Sequence, residues 1–314
     1  MGKASRTKVD SSRREKIAAQ RAAARRAEQR RRIFIAGGAI LAVLAIVLVF
    51  VVVKLNSNSP AGSTAASNGP TGAALASVVG KVTSVPASTL DSAASGGGAV
   101  NAKPVKISGP PLTANGKPEM LYIGAEYCPY CAAERWAMIV ALSRFGTFSN
   151  LSTVHSAAAD GAGQKEPYPN TPTFTFYKSS YSSPYLTFTP VESETNIPDK
   201  SNGFYTALQK PTAAQQALLT KYDAPPVVPS GSQGAIPFID FGNKYVIAGA
   251  SYSPQVLAGL SWNTIASDLN NPNSPVTRAI GGTANYITAA ICKMTGDQPA
   301  SACTATVKSL ESQL

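Results

Sequence analysis

Four cysteines occur in the 314 residues, and two of them, Cys128 and Cys131, bracket the dipeptide Pro129-Tyr130. Two thiols at this spacing can close a disulfide and reopen it. Cys128 would attack a partner's sulfur, and Cys131 lies near enough to attack the mixed disulfide that results, which is thiol–disulfide exchange. That chemistry needs no metal, nucleotide or organic cofactor. Zinc sites share the C-x-x-C spacing but require two further ligands. Here Cys292 and Cys303 have ten residues between them rather than two to four. The one histidine, His155, stands in a Ser/Thr/Val stretch and reads as a surface or strand-end residue. A purely structural Cys128–Cys131 bridge is the remaining reading of the spacing.

The flanking elements favour exchange among these readings. Glu119–Gly124 is short, apolar and bounded by turn residues, as a buried strand should be. Ala132–Phe145 reads as a helix: Ala132, Trp136, Ile139 and Val140 share a face, Met138, Leu142 and Phe145 widen it, and Gly146 supplies the stop. Pro129 suits the first helical position, where a missing N–H costs nothing. The dithiol therefore sits at a helix N-terminus behind a strand. Unpaired backbone N–H groups there stabilise an anion, so the Cys128 thiolate should form at lower pH than that of a free thiol.

A second signal follows in Gly234-Ala-Ile-Pro-Phe-Ile-Asp240, an apolar strand opened by Pro237. Gly242-Asn243 makes a two-residue turn into Lys244–Ala248 and completes a hairpin. Proline at a strand start is ordinary. Beside a helix-capping C-x-x-C, however, Ile236-Pro237 becomes a candidate cis peptide whose loop would face the dithiol and offer the Ile236 backbone to an extended substrate.

Cys128-Pro-Tyr-Cys131 at a helix start, with Ile236-Pro237 leading a terminal hairpin and helix, resembles the thioredoxin-like superfamily. The long gap between the motifs looks like the DsbA-type oxidoreductases, and Pro129-Tyr130 matches the glutaredoxin centre. The segment Gly124-Ala-Glu-Tyr-Cys-Pro-Tyr-Cys-Ala-Ala-Glu-Arg-Trp136 is similar to a poorly characterised membrane-anchored family of archaea and actinobacteria, over about Ala73 to the C-terminus. The resemblance implies an α/β fold: a thioredoxin-like mixed sheet flanked by helices, with an insertion at about 147–233 between the C-x-x-C helix and the proline loop. It also implies Cys128 as nucleophile, Cys131 as resolving thiol, and Ile236 and Pro237 as substrate-positioning residues. One departure stands out. The buried acid that many such proteins carry six residues before the first cysteine is Tyr122 here. Glu126 or Glu134 is a candidate proton relay in its place; the plainer reading makes Glu134 a solvated helix residue and Glu126 a loop-edge one.

Elsewhere the chain is partly legible. Leu151–His155 reads as a second sheet strand, and Thr173–Tyr177 and Tyr185–Thr189 alternate like half-buried strands. Lys178–Pro184 is either a rim contacting polypeptide or an ordinary hairpin loop. Ser201–Tyr222 reads as helix broken at Pro211, and Ala224–Gly234 as a loop. Ser253-Pro254 starts a helix carrying Val256, Leu257, Leu260, Ile265 and Leu269, and Tyr286–Met294 and Ser301–Leu310 read as closing helices. Cys292 and Cys303 sit at the facing ends of these last two. An exported location favours pairing them as a structural disulfide; the alternative is a second redox pair that relays electrons to Cys128 and Cys131.

Charge and hydropathy place the domain. The formal net charge is +11, but residues 1–32 hold 12 Lys/Arg against three acids, and the other 282 residues carry 16 basic and 14 acidic groups. The body is nearly neutral, so no nucleic-acid partner is indicated there. Ile33–Val53 is a run of 21 residues without a charge. As a helix it would cross the roughly 30 Å core of the lipid bilayer, and it is longer than a signal-peptide core. Arg30, Arg31 and Arg32 abut one end and only Lys54 the other, which keeps 1–32 in the cytoplasm and exports the rest. Residues 54–74 read as a flexible linker and 75–314 as the extracytoplasmic domain, with Leu75–Leu90 a short helix or strand.

The sequence thus predicts a single-pass, membrane-anchored thiol–disulfide oxidoreductase. Its expected partners are exported polypeptides, and a membrane thiol oxidase or reductase is a candidate recycling partner. The competing functions are a non-catalytic envelope binding or assembly module and a metal-delivery protein.

Overall fold

A strand that is apolar on both sides, as Met120-Leu-Tyr-Ile123 is, can be stable only in the middle of a sheet covered on both faces. The computed structural model describes residues 69–229 and 233–314 and places that segment so. The expected tail, membrane span and most of the linker lie outside the described residues. Among the described residues no single helix is long and apolar enough to cross a membrane.

In chain order the elements begin with helices α1 (Gly72–Thr83) and α2 (Ala87–Ala93) and strands β1 (Val105–Lys106), β2 (Thr113–Ala114) and β3 (Lys117–Gly124). Helix α3 (Pro129–Leu142) follows, then β4 (Thr147–Ser149), β5 (Ser152–His155), β6 (Pro172–Thr175), β7 (Ser180–Ser182) and β8 (Thr187–Glu192). Next come β9 (Glu194–Asp199), β10 (Phe204–Ala207), α4 (Ala213–Tyr222), β11 (Phe238–Phe241) and β12 (Tyr245–Ala248). The chain closes with α5 (Trp262–Asp268), α6 (Pro275–Thr295) and α7 (Ala305–Glu311).

The main sheet is mixed and six-stranded, running β1-β12-β11-β3-β2, with β8 alongside β3 on the β2 side. β8 is parallel to β3, pairing Glu119 with Thr187 through Gly124 with Glu192, whereas β11 is antiparallel to it. Alternation divides the core. Met120, Tyr122, Ile239, Phe241 and Ile247 face the larger layer with α3 and α6, while Leu121, Ile123, Val191, Phe238 and Val246 face the smaller one, closed by Tyr222 of α4. Three two-stranded ladders, β4–β7, β5–β6 and β9–β10, lie beside the sheet.

Helix α6 is the backbone of the larger layer. Ser274 caps it by accepting the Val276 N–H, Pro275 fills its first turn, and Gly296 ends it in the left-handed conformation that glycine tolerates. Cys292 near its end is bonded to Cys303 before α7.

Several segments differ from the sequence expectation. Residues 201–210 are not helical: Phe204–Ala207 forms a strand against Glu194–Asp199, because the Asp199 carboxylate ties down Ser201 and Asn202 and makes the turn. Helix α4 starts only after Thr212, whose capping box with Gln215 defines it. β5 pairs with β6 and not with the main sheet, and β6 is buried on every residue, not half-buried. The helix expected from Ser253 is a short 3-10 turn, Pro254–Leu257, separated from α5 by Gly259 at positive φ. Helix α1 begins at Gly72, inside the expected linker, and Pro70 is held by the Thr153 hydroxyl at 3.2 Å. Within the stretch between the C-x-x-C helix and the proline loop, β8 joins the main sheet beside β3.

Candidate active site

β3 ends at Gly124, where a side chain would collide with the Tyr122 hydroxyl folded back over it. Ala125 to Cys128 turns the chain, and α3 starts at Pro129. Cys128 is the N-cap: its backbone is extended and its Sγ accepts the Cys131 N–H at 3.2 Å, so a sulfur stands where a serine or aspartate oxygen usually caps. Both cysteines are free thiols. On the other side, Cys128 Sγ lies 3.7 Å from the Ile236 carbonyl, and the Ile236–Pro237 peptide is cis. The hairpin β11–β12 holds that loop, with the Gly249 N–H donating to the Pro237 carbonyl at 2.8 Å. The dithiol and the proline loop, 105 residues apart in sequence, are therefore in contact.

The two sulfurs differ in electrostatics. Burial pushes the Cys128 thiol up, but hydrogen bonds from the Cys131 thiol and N–H, the positive charge of Arg135, and a bond from the Tyr130 N–H together hold it below the ordinary thiol value. Cys131 is pushed well up, by burial first and then by its bond to Cys128 and the charge there. One thiol is poised to ionise and the other to stay protonated. The sequence leads one to expect an open Cys128, yet it keeps only 4% of its surface while the adjoining Tyr130 keeps 39%. The exposed Tyr130 ring and the Ile236 carbonyl are thus the neighbours of a nearly covered sulfur.

The carboxylates correct the plainer sequence reading. Glu134 is not solvated but wholly buried, because α3 has β6, α1, α6 and the Pro254–Leu257 turn packed around it. Glu126 is buried too; its Oε1 accepts the Thr175 hydroxyl at 2.6 Å, and burial raises its pKa. His155 is a half-buried strand end, its ring 4.8 Å from that of Trp262.

Sequence reasoning missed two residues. Arg135 is wholly buried one turn beyond Cys131 and makes a bidentate pair with Glu192, Nε to Oε1 at 2.9 Å and Nη2 to Oε2 at 2.6 Å. Nη2 also donates to the Ala125 carbonyl at 2.6 Å, which places the guanidinium beneath the loop that carries the thiols. The i,i+4 spacing from Cys131 to Arg135 was the available signal; nothing in the sequence pointed to Glu192. Beside the motif, the Tyr127 ring stacks on Tyr205 at 4.1 Å, and the Tyr205 hydroxyl donates to Glu166 at 2.6 Å, fixing the β9–β10 hairpin against it.

Residues 103–293 match the family described as a domain of unknown function (DUF929), and the chain belongs to that family. No curated protein and no solved structure matches it.

Proposed function

We propose that this protein is a membrane-anchored thiol–disulfide oxidoreductase of thioredoxin-like fold that acts on exported polypeptides. The observation that carries the reading is the seating of Cys128: a helix-capping sulfur that accepts the Cys131 N–H and rests against the Ile236 carbonyl, with the Cys131 thiol fully buried beside it. The strand–dithiol helix order and the hairpin led by Ile236-Pro237 support the thioredoxin-like assignment. The Cys292–Cys303 bond supports an oxidising compartment, in keeping with export past the Ile33–Val53 segment.

In the reaction, the Cys128 thiolate attacks one sulfur of a substrate disulfide, and the other substrate sulfur leaves as a thiolate. Cys131 then gives up its proton and attacks Cys128, releasing the second substrate sulfur and closing Cys128–Cys131. The substrate gains two electrons and the protein loses two; the reverse sequence oxidises the substrate. Direction is set by the dithiol's potential against those of substrate and recycling partner.

The test is exchange by the full chain in detergent. Equilibration in glutathione buffers should give a two-electron transition at Cys128/Cys131, and a reduced unfolded substrate should be turned over. Cys128→Ser should abolish both while leaving the circular dichroism spectrum unchanged. A second reading, a non-catalytic envelope module on the same fold, is favoured by the 4% exposure of Cys128. It predicts a Cys128 thiol that alkylates no faster than free cysteine and no turnover at all.

A further inference from the structure

Beneath the dithiol lie two polar groups that are buried without a hydrogen-bond partner, Arg135 Nη1 and the Tyr122 hydroxyl. Arg135 Cζ is 5.9 Å from the centre of the Tyr122 ring. The ion pair to which this guanidinium belongs is asymmetric. Glu192 accepts three hydrogen bonds, from Arg135 Nε, Arg135 Nη2 and the Phe176 N–H, so its charge is well screened. Arg135 donates through Nε and twice through Nη2, leaving the buried Nη1 without a protein partner. Burying such a pair is costly, and here a bidentate geometry and the Ala125 carbonyl offset the cost while one nitrogen of the cation stays unmatched.

We propose that Arg135, held in place by Glu192, is a positioning residue for thiol exchange: its guanidinium stabilises negative charge on the dithiol, first on Cys128 before it attacks and later on Cys131 once its proton has left. Three placements support this. Arg135 follows Cys131 by one helical turn on α3, so the two share a face. Its Nη2 grips Ala125, whose carbonyl also accepts the Cys128 N–H at 3.4 Å. Both Arg135 and Cys131 are fully buried, where a unit charge is weakly screened. The same cation draws both thiols toward ionisation against the opposing effect of burial. In the resolving step the Cys131 S–H bond breaks, its thiolate forms the bond to Cys128, and the departing substrate sulfur takes up the proton. Arg135 holds the transient charge and neither gains nor loses a proton.

This inference rests on the exchange reading, and its test is chosen to stand apart from turnover. Arg135→Met alone would strand the Glu192 charge and unfold the domain. The informative variants are therefore the double Arg135→Met/Glu192→Met, which removes both charges, and Glu192→Gln, which leaves the arginine uncompensated. The readout is the pH at half-maximal alkylation of Cys128 by iodoacetamide in the reduced full chain. The double variant should raise that pH by about one unit, and Glu192→Gln should lower it. Release of glutathione from a Cys128 mixed disulfide should slow about tenfold in the double variant. Shifts of opposite sign are what a purely structural pair cannot produce. A folded double variant with the wild-type profile, or shifts of the same sign in both variants, overturns the inference. Failure of the wild-type protein to turn over any substrate would instead overturn the exchange reading, and the alkylation profiles would still decide the role of Arg135.

Discussion

Glu134 directs both carboxylate oxygens at Ser251: Oε2 accepts the backbone N–H at 2.8 Å and Oε1 the hydroxyl at 2.9 Å. The bond joins the middle of α3 to the loop after β12, and the Ser251 carbonyl in turn receives the N–H groups of Asn101 and Ala102. A carboxylate in the core thus ties three separate stretches of chain together.

That placement makes stability pH-dependent. Burial raises Glu134 to about 7, with the Ser251 bonds pulling the other way, from an ordinary value of 4.5. Between those limits the folded protein binds more protons than the unfolded chain, so stability falls as pH rises from about 4.5 through 7 and is level above. The loss is about 3 kcal/mol at most. Asp240, raised by burial to about 6, contributes to the same window, so the comparison must be with a variant. Urea unfolding at pH 5 and pH 8 should show a smaller difference for Glu134→Gln than for the wild type; equal differences would count against the assignment.

If Cys128 exchanges as proposed, Cys131→Ser should convert the protein into a trap. With the resolving thiol gone, the mixed disulfide at Cys128 has no internal route to release. Gel electrophoresis under non-reducing conditions should show covalent adducts with exported polypeptides that vanish on adding reductant. Adducts equally abundant with Cys128→Ser/Cys131→Ser would assign them to another sulfur.

The Cys292–Cys303 bond closes a loop of separation 11, which by the chain-entropy argument stabilises the fold by roughly 2–3 kcal/mol. Replacing both residues by serine should lower the denaturation midpoint accordingly and leave the exchange rate within twofold. A large loss of exchange with stability preserved would mark the pair as an electron relay.

The Tyr127–Tyr205 stack should be measurable as a coupling energy. A double-mutant cycle with Tyr127→Leu and Tyr205→Leu is expected to give about 1 kcal/mol beyond the area lost. Additive single effects would mean that the hairpin β9–β10 is held by its backbone and by Glu166 instead.

The parts of the site closest in sequence were the most legible. Strand β3, Pro129 at the first helical position and the hairpin after Pro237 each follow from local rules of periodicity, capping and turn chemistry, and all three appear at those residues. What escaped was set by tertiary packing. The polarity of Glu134, Arg135 and Glu126 argues for solvent, and only the partners that Ser251, Glu192 and Thr175 supply make burial tolerable. Residues 194–207 carry mixed propensities, and their hairpin is decided by the Asp199 turn and by the Tyr127 ring waiting for Tyr205. Cys292 and Cys303 were legible as a pair because an exported location favours joining two nearby cysteines, and the bond is present.

Among the fourteen residues of α3, Tyr130 alone reaches the surface; the other thirteen are enclosed. Position 130 is therefore the one place on this helix where a side chain can be changed without rebuilding the interior. Under the proposed exchange chemistry, replacing this exposed aromatic between the sulfurs would change what a visiting polypeptide meets beside Cys128. Families that diversify in substrate while keeping this architecture should write that diversity at position 130 and in the loop facing it.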